Sequence, residues 1–494
     1  MGVKLSSYSL SGLSVLPVSV EVDVRQGMPH FSIIGMAGKS VLEAKDRVRS
    51  AISSAGYKFP LTRKIVNLAP AEQVKNGSHF DLAMALGLLI ASGQIGPVAE
   101  DVMVTGELGL EGGVRGVRGI LPAVMFAKER GVRQVVLPYA NLKEASLVEG
   151  IELVPVKSFK DAVRHFEGGG LESARVKWNF VEGKHEWDFE EISGHRAAKR
   201  ALLIAAAGGH HVVMSGSPGT GKSLLARAFP SILPSLTREE LLEILRIYSV
   251  AGAWNRLRVA RPFRAVHQSL TSVGLVGGAS LLPGEVSLAH RGVLFMDEFP
   301  EFSRDVVEML RGPLEDKVVR VRRGSRVFEY PCDFQLIAAM NPCPCGYAGD
   351  LSRNCVCGAA DVKRYQGRMS GPLMDRIDIQ IEVPRVSFDE LNGSDGVGSK
   401  EMREATEGAR ERMRARLKGY GFETNQGMSA TQVRAEVLGS GAEEILRKAT
   451  EHYSLSGRGV FKVVRVARTI ADLERSKQIK NEHLMEALQY RIRY

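Results

Sequence analysis

Eight consecutive residues, Gly216, Ser217, Pro218, Gly219, Thr220, Gly221, Lys222 and Ser223, have the spacing G-x-x-x-x-G-K-[ST]. Residues of these types in this order bind phosphate. The glycines let backbone N–H groups wrap the anion, the lysine reaches the β- and γ-phosphates, and the hydroxyl ligates Mg2+. Downstream, "RGVLFMDEF" delivers Asp297 and Glu298 at the end of a four-residue apolar run. Asp297 suits Mg2+ coordination, and Glu298 suits polarisation of an attacking water. "FQLIAAMN" then ends on Asn341, whose amide suits holding that water against the γ-phosphate. The plain alternative for an asparagine at a strand end is a turn residue.

A second cluster of reactive types follows at once. Four of the five cysteines fall in "MNPCPCGYAGDLSRNCVC", as Cys343/Cys345 and Cys355/Cys357. C-x-C-x9-C-x-C supplies four thiolates, the number a closed tetrahedral Zn2+ site needs, although pairs are more often spaced by two to four residues. A structural Zn2+ is therefore expected. The competing reading is four reduced thiols, for which a polar, Gly-rich loop is a poor setting. Cys332 reads as filler beside a strand.

These groups work only if the chain places them together. His211–Met214 reads as a strand entering the phosphate loop, and Lys222–Phe229 as a helix leaving it. Val293–Met296 and "FQLIAAMN" read as buried strands. If all three run parallel, their functional residues emerge at one carboxyl edge, where ligands of open α/β sheets bind. Around this block, residues 1–166 alternate strand patterns ("VLPVSVEVDV", "PHFSIIGM", "KIVNLAP") with helical ones ("SVLEAKDRVRSAISSAG", "DLAMALGLLIASG"). Residues 167–187 and 391–400 read as linkers, 188–390 as the α/β core and 401–494 as helical throughout. The fold class is α/β.

At 494 residues the chain has room for about three domains, and 44% apolar with 25% charged residues is ordinary globular composition. The run "LAMALGLLIASG" is too short to span a bilayer, and the N-terminus has no apolar signal region, so a cytoplasmic protein without membrane contact is expected. A net charge of +10 permits a polyanionic partner but equally fits a solvated basic surface.

The order of these parts resembles the AAA+ ATPases. "LLPGEVSLAHRGVLFMDEFPEF" resembles their magnesium-chelatase branch, whose members insert a hairpin-like element before the acidic strand; "LTSVGLVGGASLLPGEVS" occupies that place. "ISGHRAAKRALLIAAAGGHH" and "RVARTIADLE" are similar to the ComM/YifB competence-type subfamily, over essentially the whole chain. His195 stands where that subfamily commonly has Gln, and Ser223 where many members have Thr. The resemblance implies ATP and Mg2+ as cofactors and a homo-oligomeric ring, a hexamer, with ATP held between neighbours. It implies a central AAA+ P-loop NTPase with a parallel sheet and a C-terminal helical lid. Arg376 in "GPLMDRIDIQIEV" matches the arginine offered to the adjacent subunit; its alternative is a salt bridge with Asp375 or Asp378. Arg458 matches the lid arginine that senses nucleotide, with Arg465 as runner-up.

Residues 1–166 resemble the Lon-protease-type (S5-like) α/β domain through "KNGSHFDLAMALGLL" and "GELGLEGGVRGVRGILPAV". Aligned on those segments, His79 falls at the nucleophile and Leu121 at the lysine of the Ser–Lys dyad. A domain without peptidase activity is the expectation.

"DKVVRVRRGSRVFEYP" reads as a β-hairpin with Arg320 and Arg322 on one face and Arg323 and Arg326 at its turn. In related ring helicases such a hairpin enters the pore, which implies contact with single-stranded and branched DNA. The resemblance thus implies a hexameric ATP-driven DNA motor, a helicase or branch-migration enzyme serving recombination of incoming DNA. A chelatase-type motor remodelling a protein partner is the alternative. An ATP-dependent protease and a non-catalytic scaffold are disfavoured by the missing dyad and by the complete set Lys222, Asp297, Glu298 and Asn341.

Overall fold

The computed structural model describes residues 2–72, 74–178, 183, 185–254, 259–324, 326–350, 352–369, 371–392, 397–436, 438–453 and 455–491, without the side chains of 391 and 392. Parts of both expected linkers (179–182, 184 and 393–396) lie outside the described residues. Two compact units result. One comprises 1–181 with 242–257; the other comprises 182–241 with 258–494.

The first unit is built on a seven-stranded sheet. β1 (Val3–Ser11) and β2 (Ser14–Arg25) form a hairpin, with alternate residues Val18, Val20 and Val22 turned inward. β3 (His30–Ile34), β4 (Arg63–Ala69), β5 (Val102–Val104), β8 (Gln134–Pro138) and β9 (Glu152–Val156) complete it in the order β3-β4-β2-β1-β5-β8-β9. β6 (Glu107–Leu108) and β7 (Val114–Arg115) form a separate two-stranded ribbon. β2 runs antiparallel to β1 and β4, and the other pairings are parallel. The helix Asp81–Ala91 is apolar all round, and such a helix belongs in a core. Residues Asp81–Leu89 are all buried, and it packs on β1 and β2. The expected single helix over "SVLEAKDRVRSAISSAG" is two, Lys39–Leu42 and Ala44–Ser54. Residues 242–257 join this unit through Ser249, whose carbonyl accepts from the Gly119 N–H at 3.0 Å.

The second unit has a five-stranded sheet in which every pairing is parallel. Its strands are β10 (Val212–Ser215), β11 (Phe263–Val266), β12 (Val293–Met296), β15 (Gln335–Met340) and β16 (Ile379–Glu382), in the order β11-β12-β15-β10-β16. Every residue of β10, β12 and β15 is buried, as a parallel sheet covered on both faces requires. Ser215 pairs with Met340 and Met296 with Ala338, so the three strands end side by side. β13 (Val318–Arg323) and β14 (Arg326–Pro331) form the expected hairpin. The segment expected to be hairpin-like, Leu270–Ser287, is instead built from two short helices, Ser272–Val276 and Glu285–Leu288, joined by one β-bridge between Gly277 and Pro283. Its glycines and its Pro283 favour turns over a strand ladder.

Beyond residue 397 the described elements are helices, chiefly Ser399–Leu417, Ala442–His452, Gly457–Leu473 and Asn481–Gln489. Two of them, Ser399–Leu417 and Gly457–Leu473, pack on Arg196–Gly208 of the same unit. Among the described residues no helix is long and apolar enough to cross a membrane.

Candidate nucleotide site

The phosphate loop leaves β10 and closes on itself. Gly219 and Gly221 adopt φ of 79° and 82°, a region costly for any residue with a Cβ. That turn brings Lys222 back over the loop. Its Nζ donates to the carbonyls of Gly216 at 2.7 Å and Ser217 at 2.9 Å. The lysine is buried, and burial lowers its pKa, an effect that Asp297 and Glu298 oppose. The Thr220 hydroxyl donates to the Ser217 carbonyl at 3.0 Å and keeps the loop taut.

The acidic strand meets the loop directly. Ser223 Oγ donates to Asp297 Oδ2 at 2.7 Å. Both are hard oxygen donors in contact, so the pair fits Mg2+, which prefers oxygen ligands and binds through one or two carboxylates plus phosphates. Glu298 sits in the left-handed region at φ 49°, and its N–H donates to Asp297 Oδ1 at 2.9 Å. The Glu298 carboxylate accepts a hydrogen bond from Gln268 Nε2, two residues beyond β11. Asn341 follows β15 at the same edge. Thus Lys222, Ser223, Asp297, Glu298 and Asn341 come together at the carboxyl edge of one sheet.

The cysteine loop rises from that edge. Sγ of Cys343 lies 3.4 Å from Cys345 Sγ and 3.6 Å from Cys355 Sγ, and Cys345 lies 3.5 Å from Cys355. Ligand atoms of all four, Cys357 included, lie within 4.8 Å of one another. The four form a donor set able to hold a metal ion.

Arg376 and Arg458 lie elsewhere. Both line a cavity of about 650 Å3 that also touches Arg465, Gly292, Gln335 and Asp378. The last three mark the amino ends of β12, β15 and β16, so this cavity is at the sheet edge opposite the phosphate loop. Both arginines therefore lie at the other edge of the sheet from the phosphate loop of their own chain. Arg376 pairs with Glu315 at 2.5 Å, not with Asp375 or Asp378, and its Nε is buried with no hydrogen-bond partner. Behind it, Asp378 is held by His210 at 3.3 Å and by Lys462 at 3.7 Å. Burial alone would raise the Asp378 pKa, but the Lys462 ammonium and the hydrogen bond with His210 hold it well below the usual carboxylate range.

On the hairpin, Val319 and Val321 are buried while Arg320, Arg322 and Arg323 are exposed. Arg320 is already committed: it pairs with Glu329 across the ladder at 2.9 Å and with Asp316 at 3.0 Å. It is therefore less available to an outside anion than Arg322 and Arg323. In the first unit His79 is buried, with Nε2 2.7 Å from the Tyr8 carbonyl, and burial brings its pKa down to about 4. Leu121 is fully buried. Ser78 donates to Glu107, not to an amine.

Two contacts have no counterpart in the motif reading: Gln268 on Glu298, and Asp350 of the cysteine loop on the Ser217 hydroxyl. A polar residue soon after a strand adjoining the acidic strand would have been the signal for Gln268. No local pattern marks Asp350.

The family model described as magnesium chelatase, subunit ChlI matches residues 188–391. Subunit ChlI of Mg-chelatase matches 20–141, and magnesium chelatase, subunit ChlI C-terminal matches 396–491. The chain is 38% identical over 500 residues to the competence protein ComM of Haemophilus influenzae, covering 98% of this chain and 96% of that protein. It is 35% identical over 492 residues to the uncharacterized protein YifB of Escherichia coli, covering 97% and 95%. A partial likeness links it to Lon protease 2 of Bacillus subtilis, 27% identical over 174 residues, 32% of this chain and 31% of that one. Family membership of this kind implies ATP hydrolysis with Mg2+. With identity sustained along nearly its whole length and chelatase-subunit models covering most of it, the chain belongs to the ComM/YifB family of magnesium-chelatase-like AAA+ proteins.

Proposed function

We propose that this chain is the subunit of a hexameric, cytoplasmic, ATP-driven DNA motor. Its work is branch migration or unwinding, promoting integration of incoming DNA by homologous recombination during natural transformation. The observation that carries the reading is the separation of Arg376 from the phosphate loop. A guanidinium with an unpartnered Nε, set in a cavity at the opposite sheet edge, completes no site in its own chain. In a head-to-tail ring, one subunit's cavity edge faces the next subunit's phosphate loop, and such heterologous contacts close when the rotation allows. The competence name of the Haemophilus relative supports the DNA setting.

In this reading Lys222 exchanges its two loop carbonyls for the β- and γ-phosphates. Ser223 and Asp297 would hold Mg2+, which would supply positive charge to the bound phosphates. Glu298, released by Gln268, takes the proton of the water that Asn341 positions. Arg376, with Arg458 beside it, meets the charge that develops on the neighbour's γ-phosphate. The lid helices Ser399–Leu417 to Asn481–Gln489 carry Arg458 and move with the nucleotide. The hairpin tips present Arg322, Arg323 and Arg326 to DNA phosphates in the pore, with Arg320 stiffening the ladder. Residues 1–166 serve as a scaffold or a DNA- or partner-binding platform of Lon type.

ATPase rate and strand displacement on forked and four-way DNA test the proposal. Stimulation by branched DNA with ATP-dependent strand separation is expected. A rate indifferent to DNA would overturn it, and stimulation by a protein client would favour a chelatase-type remodeller.

A further inference from the structure

The cysteine loop touches the phosphate loop at two points. Gly346, at φ 86°, lies flat on Pro218: a Cβ there would come within 2.7 Å of the proline ring. Four residues on, the Asp350 carboxylate has the Ser217 hydroxyl as the chief influence holding its pKa well below the usual carboxylate range. It accepts the Ser352 N–H at 2.7 Å and Arg385 Nε at 3.1 Å. Gly346 and Asp350 both stand between the two cysteine pairs, and the loop begins two residues after Asn341.

We propose that Cys343, Cys345, Cys355 and Cys357 hold one Zn2+, and that this metal knot is a strut that sets the phosphate loop for nucleotide. The donor geometry suits the ion. A tetrahedron with Zn–S bonds of about 2.3 Å has edges of about 3.8 Å. The three Sγ–Sγ distances of 3.4, 3.5 and 3.6 Å are close to that. They are far from the ~2.05 Å of a disulfide. Backbone N–H groups point at the sulfurs as they do at thiolates. Ala348 N–H reaches Cys343 Sγ at 3.3 Å, Cys345 N–H reaches Cys357 Sγ at 3.4 Å, and Cys357 N–H reaches Cys355 Sγ at 3.4 Å. Soft thiolates select Zn2+ over Mg2+, so the knot and the nucleotide's own metal do not compete.

The loop has little else to hold it. Val356, between two of the cysteines, is 87% exposed, and Arg353 braces Tyr347 on the surface. A polar loop with so little buried surface does not keep one conformation unaided. Loss of the metal therefore frees Gly346 and Asp350 together. Pro218 then loses its cover and Ser217 its neighbouring carboxylate.

The inference rests on the phosphate loop binding nucleotide, and not on DNA being the track, so its test omits DNA. Full-length protein purified without added metal is assayed for elements and titrated with a fluorescent ATP analogue. About one zinc per chain is expected. Stripping the metal should weaken the analogue by about tenfold, and Zn2+ but not additional Mg2+ should restore it. Asp350→Ala should keep its zinc and still bind the analogue several-fold more weakly. Lys222→Ala should keep its zinc and lose the analogue, which separates a failed nucleotide reading from a failed metal reading. Less than about a tenth of an equivalent of zinc in folded protein, or iron in its place, would overturn the assignment. Unchanged affinity in zinc-loaded Asp350→Ala would overturn the strut, even if the stripped chain unfolds.

Discussion

The Ser223 hydroxyl lies 2.7 Å from the Asp297 carboxylate, joining the phosphate loop to the end of β12 across 74 residues of sequence. One hydrogen bond thereby holds the two oxygen donors at the spacing a shared Mg2+ demands. It also fixes Glu298, whose N–H is tied to the other Asp297 oxygen. In the proposed mechanism the base would thus be positioned by the metal ligand beside it, and the two functions should separate on substitution.

Lys222→Ala should lower ATP affinity by about a hundredfold or more, since the buried ammonium is the loop's only positive side chain. Glu298→Gln should bind ATP normally and slow turnover by about 10² to 10⁴. Equilibrium binding and single-turnover hydrolysis distinguish them. Equal loss of affinity in both would contradict the roles.

Arg376→Ala should leave ATP affinity near the wild-type value and reduce hydrolysis by about 10³ or more. Mixing it with Lys222→Ala subunits should recover part of the rate, because each supplies the half-site the other lacks. Mixed rings shown to form but silent would argue against action between subunits.

Replacing Arg322, Arg323 and Arg326 by alanine should weaken binding to all DNA sequences alike. Each lost phosphate contact should flatten the salt dependence by about 0.9 in log–log slope. Basal ATPase should persist. Arg320→Ala should cost less affinity than Arg322→Ala or Arg323→Ala, because its guanidinium is already paired with Glu329 and Asp316. Wild-type affinity and slope in the triple variant would move the DNA path off the hairpin.

Glu144 in the first unit is buried, and burial pushes its carboxyl from the usual 4.5 up to about 7; hydrogen bonds from Ser249, Leu121 N–H and Asn141 only partly offset this. The folded state therefore holds the proton more tightly than the unfolded chain between those values. The stability tied to that proton is fully present below 4.5 and is lost as pH rises through about 7. Glu144→Gln should raise the melting temperature at about pH 8 and flatten its fall from about pH 5. Parallel pH profiles for the two proteins would exclude this origin.

Much of the nucleotide site was legible because its chemistry is written in short spacings. G-x-x-x-x-G-K-S needs only the local turn at Gly219 and Gly221 to cradle a phosphate. The all-apolar runs before Asp297 and Asn341 announce strands buried on both faces, hence a parallel sheet with one ligand edge. Four cysteines in a polar loop likewise declare themselves by type and number.

Long-range geometry was not legible in this way. Local periodicity carries no record of which distant side chain meets another. Gln268 reaches Glu298 from a neighbouring strand's end, and Asp350 reaches Ser217 from a loop folded back over the sheet edge. Arg320 alternates with valines like its neighbour Arg322, yet only the antiparallel register sets it opposite Glu329 and consumes its charge. The segment before β12 shows the same limit, since its glycines suit a turn of either kind and packing made it helical. Sequence spacing by itself determined which chemical groups this protein brings to a phosphate. Only the tertiary structure decided which edge of the sheet each group occupies, because strand order and direction arise from contacts between residues far apart in the chain.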